Sequence, residues 1–120
     1  MARQPLPGAD KAWVPDDKLT KYILTPNHLK GGSRAAFLAA HGFDLADTGA
    51  VRLALLDHAR RNPAFLKSVS DYGELWNVWG PLATPDGTNP VVTVGWLDRG
   101  DGRGPQFSTL LPRPPRGNER

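Results

Sequence analysis

Cysteine is absent from the 120 residues, which excludes disulfides and thiolate metal ligands. A cysteine-free chain suits a reducing cytosol, and it also suits passage across a membrane in the unfolded state. Long apolar runs are missing too. None approaches the roughly 18 residues that a membrane-spanning helix needs. The opening stretch, Met1-Ala2-Arg3-Gln4-Pro5-Leu6-Pro7-Gly8, lacks the apolar centre of a secretory signal. The expectation is a cytoplasmic protein with no membrane partner, delivery as a secreted effector being the other route.

Several catalytic signatures are missing as well. There is no Gly-x-Ser-x-Gly elbow and no phosphate loop ending in Gly-Lys-Ser/Thr. The carboxylates are scattered, without the pairing a glycosidase uses. His28, His41 and His58 have no metal-ligand spacing with a nearby carboxylate, so no metal and no cofactor is expected. A strong excess of one charge is lacking. Lys and Arg number 15 and Asp and Glu 12, a net charge of +3, which permits contact with RNA without demanding it.

What is present reads as helices followed by strands. Asp16 and Asp17 suit a helix start, and Leu19, Tyr22 and Ile23 fall on one helical face. A second helix is expected from Ser33 to His41, with Gly42 as its left-handed stop. A third begins at Asp47 or Thr48, carries Val51, Leu55 and His58 on one stripe, and closes at Arg60-Arg61-Asn62-Pro63. Residues 63–72 are ambiguous, with Phe65, Leu66 and Val69 suggesting one more helical turn. Strands follow at 74–80, 91–97 and 106–111, separated by a Thr84-Pro85-Asp86-Gly87-Thr88 turn and a glycine-rich loop at 98–104. Lys11-Ala12-Trp13-Val14 reads as an edge strand or a plug over the core.

The expected class is therefore α+β, with N-terminal helices packed on one face of a C-terminal antiparallel β-meander. One domain spans 11–112, flanked by a flexible 1–10 and a disordered basic tail at 113–120, where Arg113, Arg116 and Arg120 face only Glu119.

Three features carry candidate chemistry. The block Lys30-Gly31-Gly32-Ser33-Arg34 reads as a helix entrance. There Ser33 caps free N–H groups, Gly32 permits close approach, and Lys30 and Arg34 add positive charge, a combination suited to an anion. His58 sits on the inward stripe of its helix. It is either a satisfied core histidine or a proton-transfer group at the helix–sheet margin. Trp76 and Trp79 fall on opposite faces of one strand, so one of them needs cover, from the segment of Trp13 or from a stacked base.

Three stretches in this order resemble an uncharacterised bacterial domain family. They are Leu19-Thr20-Lys21-Tyr22-Ile23-Leu24 with Gly31-Gly32-Ser33-Arg34-Ala35, then Leu55-Leu56-Asp57-His58-Ala59, then Tyr72-Gly73 through Pro112. That family occurs alone and at the C-terminal ends of polymorphic toxins. Its layout is similar to the barnase-, EndoU-, colicin- and RelE-like ribonucleases. The resemblance implies metal-independent RNA cleavage by attack of the ribose 2′-OH on the adjacent phosphate. His58 would be the general acid/base, Arg34 a phosphate ligand and Thr109 a positioning hydroxyl, with Lys30, Gly32, Ser33, Tyr72 and Trp79 lining the site. It also implies RNA and an immunity protein or antitoxin as partners. Two positions depart from the family pattern. Arg34 stands where lysine is usual, and Leu111 where Thr-Ala-Tyr-Pro has tyrosine. Arginine does not readily donate a proton, and the phenol is lost, so the expected activity is weakened or absent. The rival expectation is a non-enzymatic module that binds protein or nucleic acid in a toxin, phage or secretion system. Convergence of His58, Arg34 and Thr109 at one pocket decides between the two.

Overall fold

The computed structural model describes residues 6–23 and 31–112, without the side chains of 21–23 and 31–33. Residues 1–5, Lys30 and the tail from 113 lie outside the described residues. The architecture is α+β: helical segments in the N-terminal half, then a four-stranded antiparallel meander in the order β1-β2-β3-β4.

Packing begins earlier than expected. Leu6 is buried in the core and a 3₁₀ turn follows at Ala9–Lys11, so the flexible start expected at 1–10 does not hold from Leu6 onward. The next helical segment, Lys18–Ile23, is wound as a wide π turn rather than the α-turn expected. The hydroxyl of Thr20 donates to the Asp16 carbonyl at 2.9 Å, in competition with the backbone ladder. Leu19 still faces inward and is buried.

Helix α1 spans Gly31–Ala40 and α2 spans Thr48–Arg61. The first helix thus opens two residues before the expected start, which makes Ser33 its third residue rather than its cap. It ends as expected, at Gly42 with φ 94°. Helix α2 matches the sequence closely. The Asp47 carboxylate caps it by accepting from Ala50 N at 3.1 Å, and Val51, Leu55, His58 and Ala59 form its buried stripe. The guanidinium of Arg52 holds the N-terminal segment to this helix through Asp16.

The strands are β1 (Ala64–Ser70), β2 (Gly73–Pro81), β3 (Val91–Asp98) and β4 (Gln106–Leu111). The helical turn suggested within 63–72 is instead β1, an edge strand. Register places Ala64, Val78, Val94 and Leu110 in one row across the sheet, all buried on the face toward the helices. Asn77, Gly95 and Thr109 form the neighbouring row and, by the alternation of strand side chains, face the other way. The β2–β3 connection turns where expected, with Gly87 at φ 76° and its N–H donating to Thr84 O at 3.0 Å.

The two sheet edges differ. Along β4, Trp13 makes a parallel bridge to Gln106, with Trp13 N–H donating to Pro105 O and Phe107 N–H donating to Trp13 O. Lys18 Nζ donates to Ser108 O at 3.4 Å and Arg34 Nε to Leu110 O at 2.5 Å, so this edge is closed along its length. Trp13 is therefore an edge residue. It lies beside β4 with the Arg103 guanidinium 5.5 Å above its ring, and its segment does not cover Trp79 on β2. The outer edge of β1 has no bridge among the described residues.

Candidate functional site

His58 is fully buried. Its place follows from the α2 stripe, which brings it over the end of β2, where Nε2 lies 3.0 Å from the Gly80 carbonyl. A carbonyl only accepts, so Nε2 carries the proton and Nδ1 is left without a hydrogen-bond partner. Burial pushes the imidazole pKa below its ordinary 6.5, against the opposing pull of the Gly80 and Val92 carbonyls and the Asp57 charge.

One turn further along, Asn62 completes the junction. Its Nδ2 donates to the His58 carbonyl at 3.0 Å and to the Pro81 carbonyl at 3.1 Å. Gly80 is the residue that permits this approach, because a Cβ there would overlap the Asn62 amide. Together His58, Asn62 and Gly80 weld the C-terminal end of α2 to β2.

Arg34 is half-buried and points to the edge of β4, where its Nε bonds the Leu110 carbonyl. The side chain of Thr109, on the same strand, packs over Gly95 on the sheet face away from the helices. A Cβ added at Gly95 would meet Thr109 Cγ2 at 2.8 Å and Asn77 Oδ1 at 3.5 Å. The sheet thus stands between Thr109 and His58. Arg34, from α1, reaches the strand that carries Thr109, but the sheet keeps His58 apart from Thr109, so the three groups expected to converge do not form a common pocket.

The accessory positions scatter likewise. Tyr72 is exposed in the β1–β2 turn, at the far end of β2 from Gly80, roughly 23 Å away along the strand. Trp79 pairs with Thr93 on the Thr109 side of the sheet, opposite in facing to Trp76, as the strand alternation required. Gly32 and Ser33 lie in the first turn of α1, whereas Lys30 falls outside the described residues.

A cluster the sequence reading did not assemble lies at the end of α1. His41 Nδ1 is 2.6 Å from Thr88 Oγ1, and Asp86 Oδ1 accepts from Thr88 Oγ1 at 2.7 Å and from Thr84 Oγ1 at 2.9 Å. These bonds, that from Thr88 first, hold the Asp86 carboxyl below its ordinary pKa. The short polar side chains of 84–89 signalled a turn, but nothing local revealed a partner 47 residues away. An imidazole touching a hydroxyl suggests a nucleophile. Here, however, the Thr88 and Asn89 amides already donate to Asp86 Oδ1 and Thr84 Oγ1, leaving them unavailable to stabilise an oxyanion. The cluster fastens the β2–β3 loop to α1. Among the described residues no group of three or more His, Asp or Glu is placed to hold a metal ion, and none of their helices is long and apolar enough to cross a membrane.

Residues 5–114 match a family described as a domain of unknown function, DUF6883. The chain belongs to the DUF6883 family. The family match covers all the described elements, from the 3₁₀ turn to β4. No curated protein and no solved structure matches the chain.

Proposed function

We propose that this DUF6883 domain is a non-enzymatic module that binds protein. The observation that carries this reading is that the sheet stands between Thr109 and the buried His58, while Arg34 Nε is engaged at the β4 edge. An acid/base must reach the proton it moves, within about 3 Å or through one water. His58 has no exposed surface, and its Nε2 already serves Gly80. One donor of the Arg34 guanidinium, Nε, is engaged by the Leu110 carbonyl at the β4 edge. Two features favour protein over nucleic acid as the partner. The net charge is only +3, and Leu66, Val69 and Tyr72 are exposed together on one hairpin.

The test compares purified wild-type protein with Arg34→Ala and His58→Gln on total RNA, with folding checked by circular dichroism. The expected result is no cleavage by any of the three and unhindered growth of an expressing host. Cleavage by the wild type that disappears in folded Arg34→Ala would overturn the reading and restore the ribonuclease.

A further inference from the structure

The two opposite edges of the sheet have different fates in this fold. The β4 edge is closed by Trp13, Lys18 and Arg34, whose bonds reach backbone atoms from Pro105 to Leu110. The β1 edge, seven residues long, has no such cover among the described residues, and every residue from Leu66 to Tyr72 is exposed. An uncovered edge presents a row of backbone donors and acceptors ready for another strand.

The side chains beside this edge are unusual for a solvent-facing hairpin. Leu66 is 44%, Val69 68% and Tyr72 75% exposed. Leu66 pairs with Trp76, in the buried row of Trp96 and Phe107, and Val69 pairs with Glu74. The bulge between Leu66 and Ser68 restores Val69 to the face of Leu66. The helix-facing side of the sheet therefore continues past the helices as an apolar margin, running from half-buried Trp76 through Leu66 to Val69.

Charge along the strand is polarised. Arg60 and Arg61, both exposed, stand just before β1 at the end of α2, and Arg61 is paired with Asp57 at 2.7 Å. Asp71 and Glu74, also exposed, stand just after it; Glu74 accepts from Trp76 Nε1 at 3.2 Å. An antiparallel copy of the same strand reverses this polarity. It lays the acidic end of one chain against the basic end of the other, twice over, about a two-fold axis.

We infer that the β1 edge pairs with the β1 edge of a second copy of this chain, antiparallel, joining two four-stranded sheets into one. Leu66, Val69 and Tyr72 of each copy are covered by the other. Lys67, exposed in the bulge, puts a cation near the middle of the seam and keeps the association reversible rather than fibrillar. The inference rests on reading the chain as a protein-binding module, and names the partner.

The test measures mass by sedimentation equilibrium across a concentration series. Twice the 13.1 kDa of the chain is expected at the upper end, with the monomer at the lower. Val69→Lys should weaken the dimer at least tenfold while the folded spectrum and melting temperature stay unchanged. Asp71→Lys should weaken it as well, and adding Arg60→Glu should restore it, an exchange that only the antiparallel arrangement explains. Because the chain has no cysteine, Ser68→Cys gives a clean second readout. It should cross-link to itself on mild oxidation faster than Ala83→Cys, which is exposed away from β1.

A monomer persisting to about 1 mM, where even a contact of roughly 4 kcal/mol would register, overturns the inference. So does a dimer indifferent to Val69→Lys and Asp71→Lys, which would lie on another surface. Neither outcome touches the RNA assay, so a failure of this pairing is distinguishable from a failure of the binding-module reading.

Discussion

Gly80 shows how one position controls the junction of helix and sheet. The Asn62 side chain lies where a Cβ would go, with its Nδ2 on the carbonyls of His58 and Pro81. Gly80→Ala must push Asn62 away, and the expected loss of stability is about 1–3 kcal/mol, the usual cost of overpacking a tight site. His58→Leu fills similar space but removes the imidazole bond to the buried Gly80 carbonyl, costing about 1 kcal/mol. The double variant should lose less than the sum, because both changes open the same junction. Urea unfolding of the three proteins measures all of this. At this scale the sequence was legible only in part. The α2 stripe placed His58 inward, but an inward histidine fits a core and a catalytic site equally well. Arg34 misled for a related reason: its Leu110 partner is 76 residues away, and a guanidinium binds a carbonyl as readily as a phosphate.

Elements with local punctuation were read well, and those without it were not. Helix α2 has a capping aspartate, a four-residue inward stripe of Val51, Leu55, His58 and Ala59, and a proline after its end, and its expected limits stand. Strand β1 has none of these. As an exposed edge it has no strict alternation to reveal it, and its bulge breaks the period of two, so Phe65, Leu66 and Val69 mimic a helical turn. Glycine is poor in helix interiors, so Gly31-Gly32 read as loop although both lie within α1. The clearest test at this scale is the cap of α2. Asp47→Ala should remove the bond to Ala50 N and lower the unfolding free energy by about 1 kcal/mol. The same change should leave self-association through β1 intact, since the cap lies at the opposite end of α2 from that strand. Denaturation and sedimentation of one preparation check both halves.

Across the whole molecule, the order of elements gave away the layered fold, because helices followed by a meander leave one sheet face to be covered. It could not give away which side of the sheet each polar group would reach. That depends on register, and the bulge in β4 between its pairings with Gly95 and Trp96 alters the register beside Thr109. The same architecture sets how the protein responds to acid, through two groups held by different parts of the fold. His58 is buried in its neutral form, with a folded pKa below 6.5. The unfolded chain therefore binds more protons as the pH falls below 6.5, and stability present above that value is progressively lost toward the folded pKa. Asp86 has its pKa lowered from 3.8 by the Thr88 and Thr84 hydrogen bonds, with His41 nearby. Its contribution is present above 3.8 and is lost only as the pH falls further, through its own folded value. Melting temperature against pH should thus fall in two separated windows. His58→Gln keeps an amide donor for Gly80 but cannot titrate, so it should flatten the upper window and leave the lower one in place. Asp86→Asn should do the reverse, removing the lower window while the decline below 6.5 persists. A wild-type profile that stays level down to about pH 5 would mean that the buried imidazole is protonated as readily in the folded chain as in the unfolded one. The weld between α2 and β2 would then need a different account.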